Sequence, residues 1–250
     1  MPIPVRDTFD SDRADLKIQV TDDGSRTLVR TGTSDSFHSG CGALSETEHV
    51  YIKNSGVLDR LRHRRPTRVL EVGLGTAMGL IATLSHAIDH DCELEYVAVE
   101  TDWVSASIVR MLRPYQWTKH HVLVDRFLAY RDSLSTAVAP GSYPWTFDSK
   151  RRVRIEIVDV LRWKPKDTRP FDAIYFDPFC PENAPELWTP DCFKHMRSLI
   201  DSGGSLTTYS CSRPVRDALE AGGWNVTRVP GPAGGKREVL VANPGEPSPL

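Results

Sequence analysis

A glycine-rich turn with an acidic residue just before it is the first candidate for chemistry in this sequence. Gly73 and Gly75 follow an apolar run and precede a helical pattern, and glycines there let the backbone approach a ligand closely. Gly79 makes the spacing one position longer than in the dinucleotide-binding fingerprint. Glu71 would repel a pyrophosphate but attract the cationic amino-acid end of S-adenosylmethionine. We therefore predict an S-adenosylmethionine site, with a dinucleotide site and a turn without a ligand as alternatives. Its residues would be Glu71, Gly73, Gly75 and Thr76.

Two more acidic residues close the next predicted strands and suit other parts of the same cofactor. Glu100 ends the strand after the glycine turn, where a carboxylate can accept both ribose hydroxyls of a nucleoside. Asp159 ends the third strand and could accept the adenine amino group, because strand ends on this side border the ligand crevice. An ordinary surface acid is the alternative for both, and Asp102 is the better candidate for the N-cap of the following helix.

The sequence Asp-Pro-Phe-Cys-Pro, beginning at Asp177, places one carboxylate at the end of a fourth apolar strand. It resembles the Asp-Pro-Pro-Tyr box of amino-group methyltransferases. Methyl transfer to an amine requires the nitrogen lone pair to lie in line with the carbon–sulfur bond, and a carboxylate that accepts the amine hydrogens can hold it there. We predict that Asp177 is catalytic and that Pro178 and Phe179 help to bind the substrate. Tyr209 and Ser210, at the end of the fifth strand, lie where a substrate could pass. A capped turn is the alternative.

Strand and helix patterns alternate through most of the chain and predict the fold that positions these residues. The strand patterns cover 68–73, 93–100, 153–160, 171–179 and 203–210, and the helical patterns 76–90, 101–112, 121–138, 190–200 and 212–223. This order predicts an α/β protein with a Rossmann-like, doubly wound, mostly parallel sheet of the S-adenosylmethionine-dependent methyltransferase type. We expect an antiparallel pair within 225–243 to close the sheet and a loop at 139–151.

An N-terminal arm precedes this pattern. Residues 16–31 alternate like a β-hairpin around an Asp-Asp-Gly-Ser turn, and a loop then leads to a short helix near 46–52. We expect the hairpin arm with its loop and helix at 1–65, the methyltransferase domain at 66–242 and a flexible tail at 243–250.

Composition argues against several classes of protein. The 250 residues carry a net charge of -2, which disfavours a strongly basic nucleic-acid-binding coat. The apolar stretches are too short for a membrane span, and the polar start predicts no secretory signal. Five cysteines without a Cys-x-x-Cys pair predict reduced thiols in a cytoplasmic protein, and no ligand spacing supports a metal site.

Basic residues are nevertheless clustered in three places. The clusters are Arg60, Arg62, His63, Arg64, Arg65 and Arg68; Lys150, Arg151, Arg152 and Arg154; and Lys236 with Arg237. A solvated face is the usual role of such runs. Together they could contact RNA phosphates.

Five segments resemble one bacterial family. They are 38–52, 68–79, 171–190, 203–210 and 229–242. They look like the methyltransferase domain of the tRNA 5-methylaminomethyl-2-thiouridine biosynthesis family, MnmC, and are closer to its stand-alone form, MnmD. The glycine turn is common to many methyltransferases, whereas the arm, the acidic box and the Gly-Lys-Arg-Glu segment are specific to this family.

The resemblance implies an activity and its partners. The family uses S-adenosylmethionine to methylate the side-chain amine of 5-aminomethyl-(2-thio)uridine at the tRNA wobble position. Its bifunctional members also carry a flavin-dependent oxidase domain. For this chain we expect tRNA as the partner, S-adenosylmethionine as the cofactor, no FAD, no metal, no membrane association and a monomer.

The resemblance also assigns residues to the site. The positions that match the family's cofactor site are Glu71, Gly73, Gly75, Glu100 and Asp159, with Ser39 and Glu46 from the arm. Glu48 would help to close the site, and Asp177 would face the amine.

Other functions stay open on the sequence alone. A methyltransferase of a small amine has the same fold, as does an aminopropyltransferase of the spermidine synthase type, and a catalytically silent S-adenosylmethionine-binding module is a further alternative. Basic clusters around the crevice would favour RNA. Additional acids at its mouth would favour a polyamine.

Overall fold

The computed structural model describes residues 5–32, 35–135 and 138–245 of the chain. An antiparallel three-stranded sheet forms the N-terminal arm, in the order β1, β2, β3. Its strands are β1 (Thr8–Asp10), β2 (Leu16–Val20) and β3 (Arg26–Arg30). The alternation of apolar and polar residues that predicted the hairpin buries Leu16, Ile18 and Leu28 against the rest of the molecule.

An eight-stranded sheet forms the body of the molecule. Its strands are β4 (Thr67–Val72), β5 (Leu94–Glu100), β6 (Gly141–Thr146), β7 (Arg151–Ile157), β8 (Phe171–Phe176), β9 (Ile200–Thr208), β10 (Trp224–Pro230) and β11 (Glu238–Pro244). The spatial order is β10-β11-β9-β8-β4-β5-β7-β6. The five central strands, β9 to β7, are parallel, and β6, β10 and β11 pair antiparallel. This confirms the predicted doubly wound, mostly parallel, Rossmann-like sheet.

Helices cover both faces of the sheet. They are α1 (Ala43–Glu46), α2 (Val57–Arg62), α3 (Met78–Asp89), α4 (Ala106–Met111), α5 (His121–Asp132), α6 (Pro190–Leu199) and α7 (Arg213–Ala221). A π-helical segment, Thr47–Lys53, continues α1, and 3₁₀ turns occur at Pro114–Gln116 and Pro185–Trp188. Successive residues of β4 point to opposite faces, so Val69 joins the hydrophobic cluster under α3 to α5 and Leu70 the cluster under α6 and α7.

Three local predictions differ from the structure. The expected loop at 139–151 contains β6, an edge strand in which Pro144 is tolerated because no further strand needs its missing N–H. The helix expected from 101 begins at Ala106, where Ser105, rather than Asp102, is the N-cap and accepts from the Ile108 amide. The helix expected at 121–138 ends at Asp132, and residues 136–137 lie outside the described part of the chain.

The two ends of the chain were predicted to be an N-terminal arm and a flexible C-terminal tail. Strand β11 runs to Pro244, two residues into the segment expected as a tail, and 246–250 lie outside the described residues. Residues 1–4 and 33–34 of the expected arm lie outside them as well. In the part of the chain that is described, no helix has the length and hydropathy needed to cross a membrane.

Candidate active site

A cavity of about 800 Å³ lies at the carboxyl ends of the parallel strands. Its walls come from the loops after β4, β5, β7, β8 and β9, and its roof comes from the arm and the helix that follows it. This is the position where open α/β sheets bind ligands, because the chain reverses its winding between β4 and β8.

The loop after β4 forms a tight glycine turn against the neighbouring strand end. Gly73 has φ +90° and Gly75 has φ +50°, both in the left-handed region that suits glycine. A Cβ at Gly73 would lie 2.5 Å from the backbone oxygen of Asp177. The glycine therefore allows the turn after β4 and the turn after β8 to approach each other closely.

Glu71 is a buried carboxylate at the floor of the cavity. It is 4% exposed, and its Oε2 atom has no hydrogen-bond partner among the described residues. A Cβ at Gly79 would lie 2.4 Å from Glu71 Oε1, so the third glycine of the motif leaves room for this carboxylate. Burial raises the pKa of Glu71 well above its usual value. A cationic ligand group would therefore satisfy both the charge and the unbonded oxygen.

Glu100 and Asp159 have fixed orientations at the next two strand ends. Glu100 accepts backbone N–H bonds from Gly75 at 2.9 Å, Thr101 at 2.6 Å and Asp102 at 2.8 Å. Asp159 accepts from the Leu161 amide at 2.9 Å. Both side chains line the cavity, and the bond from Gly75 links the glycine turn directly to the acid after β5.

Asp177 follows β8 and lines the cavity next to the glycine turn. The Tyr51 hydroxyl, from the π-helical segment, donates to Asp177 Oδ1 at 2.5 Å. Burial raises the pKa of Asp177 well above its usual value, and the Glu46 carboxylate adds to this. The Tyr51 hydrogen bond and the Lys236 ammonium act in the opposite direction.

The arm and the C-terminal hairpin complete the walls. The Ser39 amide donates to Glu46 Oε2 at 2.6 Å, and both residues line the cavity. The Lys236 ammonium lies 3.7 Å from the centroid of the Tyr209 ring, whose hydroxyl donates to the carbonyl of Pro178 at 3.0 Å. Burial of the ammonium lowers the pKa of Lys236, against the Glu46 and Asp177 carboxylates. One cation therefore faces two acids on this side of the cavity.

Most of the residues proposed from the sequence meet at this cavity. Those that line it are Ser39, Glu46, Glu71, Gly73, Gly75, Thr76, Glu100, Asp159, Asp177, Pro178, Phe179 and Tyr209. Ser210 does not line it. Glu48 points away from it and accepts from His86 on α3 at 2.9 Å, so the expectation that Glu48 closes the site is wrong.

Several lining residues were not among the predicted site residues, and three of them stand out. Tyr51, Phe37 and Lys236 reach the cavity from the π-helical segment, the arm and the β10–β11 hairpin. Phe37 contacts Phe179 edge to face, with ring centroids 5.3 Å apart. Lys236 was noted in a basic cluster and in the Gly-Lys-Arg-Glu segment, and Tyr51 lies in a segment that resembles the family. Phe37 lies one position before that segment and carries no sequence signal of its own.

Two of the three basic clusters lie at the edge of the sheet opposite the cavity. Arg60 and Arg68 lie next to the beginning of β4, and they pair with Asp172 at 2.6 Å and Glu95 at 3.0 Å. Arg151 begins β7 and Lys150 directly precedes it, and both pair with acids of nearby loops in the same way. These pairs offset much of the positive charge, and their position removes the support that the clusters gave to RNA binding at the cavity.

Comparison with known proteins adds family information to this geometry. Residues 131–244 match a family model described as an S-adenosyl-L-methionine-dependent methyltransferase. Two curated relatives are the tRNA 5-methylaminomethyl-2-thiouridine biosynthesis bifunctional proteins MnmC of Burkholderia thailandensis and Burkholderia multivorans. The Burkholderia thailandensis protein is 32% identical over 86% of this chain, and the Burkholderia multivorans protein is 33% identical over 88% of this chain. The chain spans about a third of the length of these relatives, 33% of each.

A solved structure matches over nearly the whole chain. The crystal structure of MNMC2 from Aquifex aeolicus superposes with a TM-score of 0.72 and 25% sequence identity, covering 96% of this chain and 73% of that one. The structural match covers nearly the whole chain, and the sequence matches cover 86% and 88% of it. This chain is therefore homologous to the methyltransferase domain of MnmC.

Proposed function

We propose that this protein transfers a methyl group from S-adenosylmethionine to the side-chain amine of 5-aminomethyl-(2-thio)uridine at the wobble position of tRNA. The single observation that carries the proposal is the cavity at the strand ends, where a chain homologous to the MnmC methyltransferase domain brings Glu71, Glu100 and Asp177 together. The name of the MnmC relatives supplies the substrate class, and the acidic residues at the strand ends are suited to the chemistry.

The residues around the glycine turn suit S-adenosylmethionine. The unbonded, buried Oε2 of Glu71 matches the ammonium of its amino-acid end, and the cavity-lining Thr76 hydroxyl also has no partner among the described residues. Glu100 would accept the ribose hydroxyls, Asp159 would face the adenine, and Ser39 with Glu46 would cover the methionine end. When bound, this cofactor supplies an electrophilic methyl group attached to a sulfonium.

Asp177 would orient the nucleophile. A methyl acceptor must present a neutral amine with its lone pair free, and Asp177 Oδ2 can accept one amine hydrogen while Tyr51 occupies Oδ1. The same carboxylate would stabilise the positive charge that forms on nitrogen as the new bond is made. Because a lone carboxylate would also favour the protonated amine, the nearby Lys236 ammonium offsets part of its field.

A small amine is the second candidate acceptor, and one observation favours it. Eight acidic residues line the cavity. Among the described residues, its only lysine and arginine side chains are those of Lys236 and Arg30. An acidic mouth is the feature that a polyamine site would need. The name of the MnmC relatives outweighs it, since five of these acids already have proposed roles toward the cofactor or the amine.

Methylation of a defined RNA tests the proposal. The purified protein is incubated with S-adenosylmethionine and tRNA carrying 5-aminomethyluridine, and the nucleosides are analysed by mass spectrometry. We expect 5-aminomethyluridine to gain one methyl group, and tRNA with an unmodified wobble uridine to gain none. Transfer to putrescine or spermidine, with the modified tRNA unchanged, would instead establish the small-amine activity.

A further inference from the structure

Tyr51 is a buried tyrosine whose hydroxyl touches the proposed catalytic carboxylate. It is 3% exposed, donates to Asp177 Oδ1 at 2.5 Å and comes from a segment 126 residues earlier in the chain. Its ring packs on that of Tyr175 in β8, with centroids 5.5 Å apart. The Tyr51 side chain is thus held by ring packing as well as by its hydrogen bond to Asp177.

The helix that carries Tyr51 has an unusual geometry at this point. It continues α1 as the π-helical segment Thr47–Lys53, in which the Asn54 amide bonds to the His49 carbonyl five residues earlier, at 3.2 Å. In an α-helix, side chains five positions apart point roughly 140° away from each other. Bonding from i to i+5 brings them close to one face, and π-turns are frequent at functional sites. This turn allows Glu46 and Tyr51 both to face the cavity.

Two outer contacts fix the π-helical segment in place. Glu48 pairs with His86 on α3 at 2.9 Å, and His49 Nε2 lies 2.8 Å from the carbonyl oxygen of Pro230 at the end of β10. The segment is therefore attached to the body of the protein on its outer side while Tyr51 projects inward. A side chain held in this way can impose an orientation on its partner.

We propose that Tyr51 is a positioning residue for the amine site: its hydroxyl fixes Oδ1 of Asp177 and thereby directs Oδ2 toward the substrate amine. The inference rests on the proposed function for the identity of the amine. The position of Tyr51 itself rests on the hydrogen bond, the burial and the π-helical turn.

The hydrogen bond also affects the charge of Asp177. Burial raises the pKa of Asp177, whereas donation from Tyr51 stabilises the ionised form and lowers it. Removing the hydroxyl therefore raises this pKa further. A larger share of the enzyme would then carry a protonated Asp177 at low pH, and a protonated carboxyl has no negative charge to hold and stabilise the amine.

Tyr51→Phe removes the hydroxyl and keeps the ring, and Tyr175→Phe is the matched control. Tyr175 is equally buried and neighbours Tyr51, but its hydroxyl lies 3.4 Å from that of Thr83 and not at Asp177. We expect Y51F to lower kcat about 10- to 100-fold, as for a lost hydrogen bond to a charged group. We also expect the acidic limb of its pH–rate profile to move to higher pH while S-adenosylmethionine affinity is kept. Unchanged kcat and pH profile in Y51F, or equal changes in Y175F, would overturn the proposal.

A ¹³C NMR titration tests the positioning role of Tyr51 without measuring turnover. In protein labelled with ¹³C at the aspartate carboxyls, the Asp177 resonance is assigned by its loss in Asp177→Asn and titrated in the wild type and in Y51F. We expect a higher midpoint in Y51F. In the wild type alone, one [¹³Cζ]tyrosine resonance must titrate together with Asp177, a reading that needs no folded Y51F. Absence of that coupling refutes the positioning role, whereas inactivity of the wild type on tRNA with the coupling present refutes only the proposed substrate.

Discussion

At the scale of single residues, the cavity is organised by buried carboxylates with different partners. Glu71 has one oxygen without a hydrogen-bond partner among the described residues, Glu100 is held by three backbone amides, and Asp177 is held by Tyr51. An unpaired buried acid is costly to ionise, so it suits a cationic ligand group. An acid held by fixed donors keeps one orientation, which suits recognition of hydroxyls or of an amine.

Replacement of Asp177 by Asn tests its role in the transfer step. The amide keeps the size of the side chain and can still accept from Tyr51, but it loses the negative charge opposite the amine. We expect kcat to fall about 100- to 10,000-fold, the range typical of a lost acid–base or charge-stabilising group. Calorimetry should show nearly unchanged binding of S-adenosylmethionine. Full turnover in D177N would remove Asp177 from the mechanism.

Proton release on cofactor binding tests Glu71. Burial raises its pKa well above the usual value in the free protein, and a bound ammonium would lower that pKa again. At a pH between the two pKa values, binding must therefore expel a proton. Calorimetry in two buffers of different ionisation enthalpy should show this release for the wild type and none for Glu71→Gln. The same buffer-independent enthalpy in both proteins would contradict the assignment of the ammonium to Glu71.

At the scale of secondary-structure elements, the site depends on turns at the carboxyl edge of the sheet. The turn after β4 packs against the turn after β8, and the bond from the Gly75 amide to Glu100 joins it to the end of β5. The arm adds Phe37 above this turn, where a Cβ at Gly75 would lie 3.1 Å from the Phe37 ring. The cofactor region is thus enclosed by short contacts between backbone segments.

Gly73→Ala measures how tightly these turns pack, with Gly24→Ala as its control. Both glycines have a left-handed φ, +90° and +81°, so each alanine carries conformational strain of about 1 kcal/mol. Only Gly73 has a backbone atom in the way, 2.5 Å from the added carbon, whereas Gly24 has open space. We expect G24A to lower Tm by about 2–4 °C. G73A should lower it further and should also weaken S-adenosylmethionine binding. Equal effects in the two variants would show that the close approach is easily relaxed.

At the scale of the whole molecule, charge is separated between the two edges of the sheet. Acids gather at the carboxyl edge around the cavity, and two basic clusters gather at the amino edge, with many of their members paired to acids. The net charge of -2 is the sum of these regions and describes neither. A tRNA that presents its wobble base to the cavity would approach the carboxyl edge of the sheet. Among the described residues that line the cavity there, Arg30 and Lys236 are the lysine and arginine side chains that could meet its phosphates.

Charge removal at each edge tests this orientation. Arg62 and Arg64 are exposed at the amino edge, and Arg30 lies at the cavity with its guanidinium 4.6 Å from the centroid of the Phe179 ring. Contacts between basic side chains and RNA phosphates determine both the KM for tRNA and its dependence on salt. If the tRNA does not contact the amino edge, we expect R62A/R64A to leave the KM within about twofold and its salt dependence unchanged. Arg30→Ala should raise KM. A larger effect of R62A/R64A would place the tRNA across the opposite edge.

The sequence by itself determined the sheet and the acids at its strand ends. Alternating strand and helix patterns require parallel strands, and the carboxyl ends of parallel strands meet at one edge. Residues that end strands, such as Glu100 and Asp177, were therefore brought together by local pattern and chain order alone. The edge strand β6 escaped prediction because edge pairing tolerates proline and exposed residues, which weakens the strand pattern.

Only the tertiary structure decided which side chains complete the site and which basic residues are neutralised. Tyr51 reaches Asp177 through a π-helical turn that no periodicity in the sequence indicates, and Lys236 reaches the same place from a terminal hairpin. Arg60 is likewise paired with an acid more than a hundred positions away, Asp172. Such contacts join segments far apart in the chain, so they depend on how elements pack and on local helix geometry, and neither is encoded in the spacing of the residues themselves.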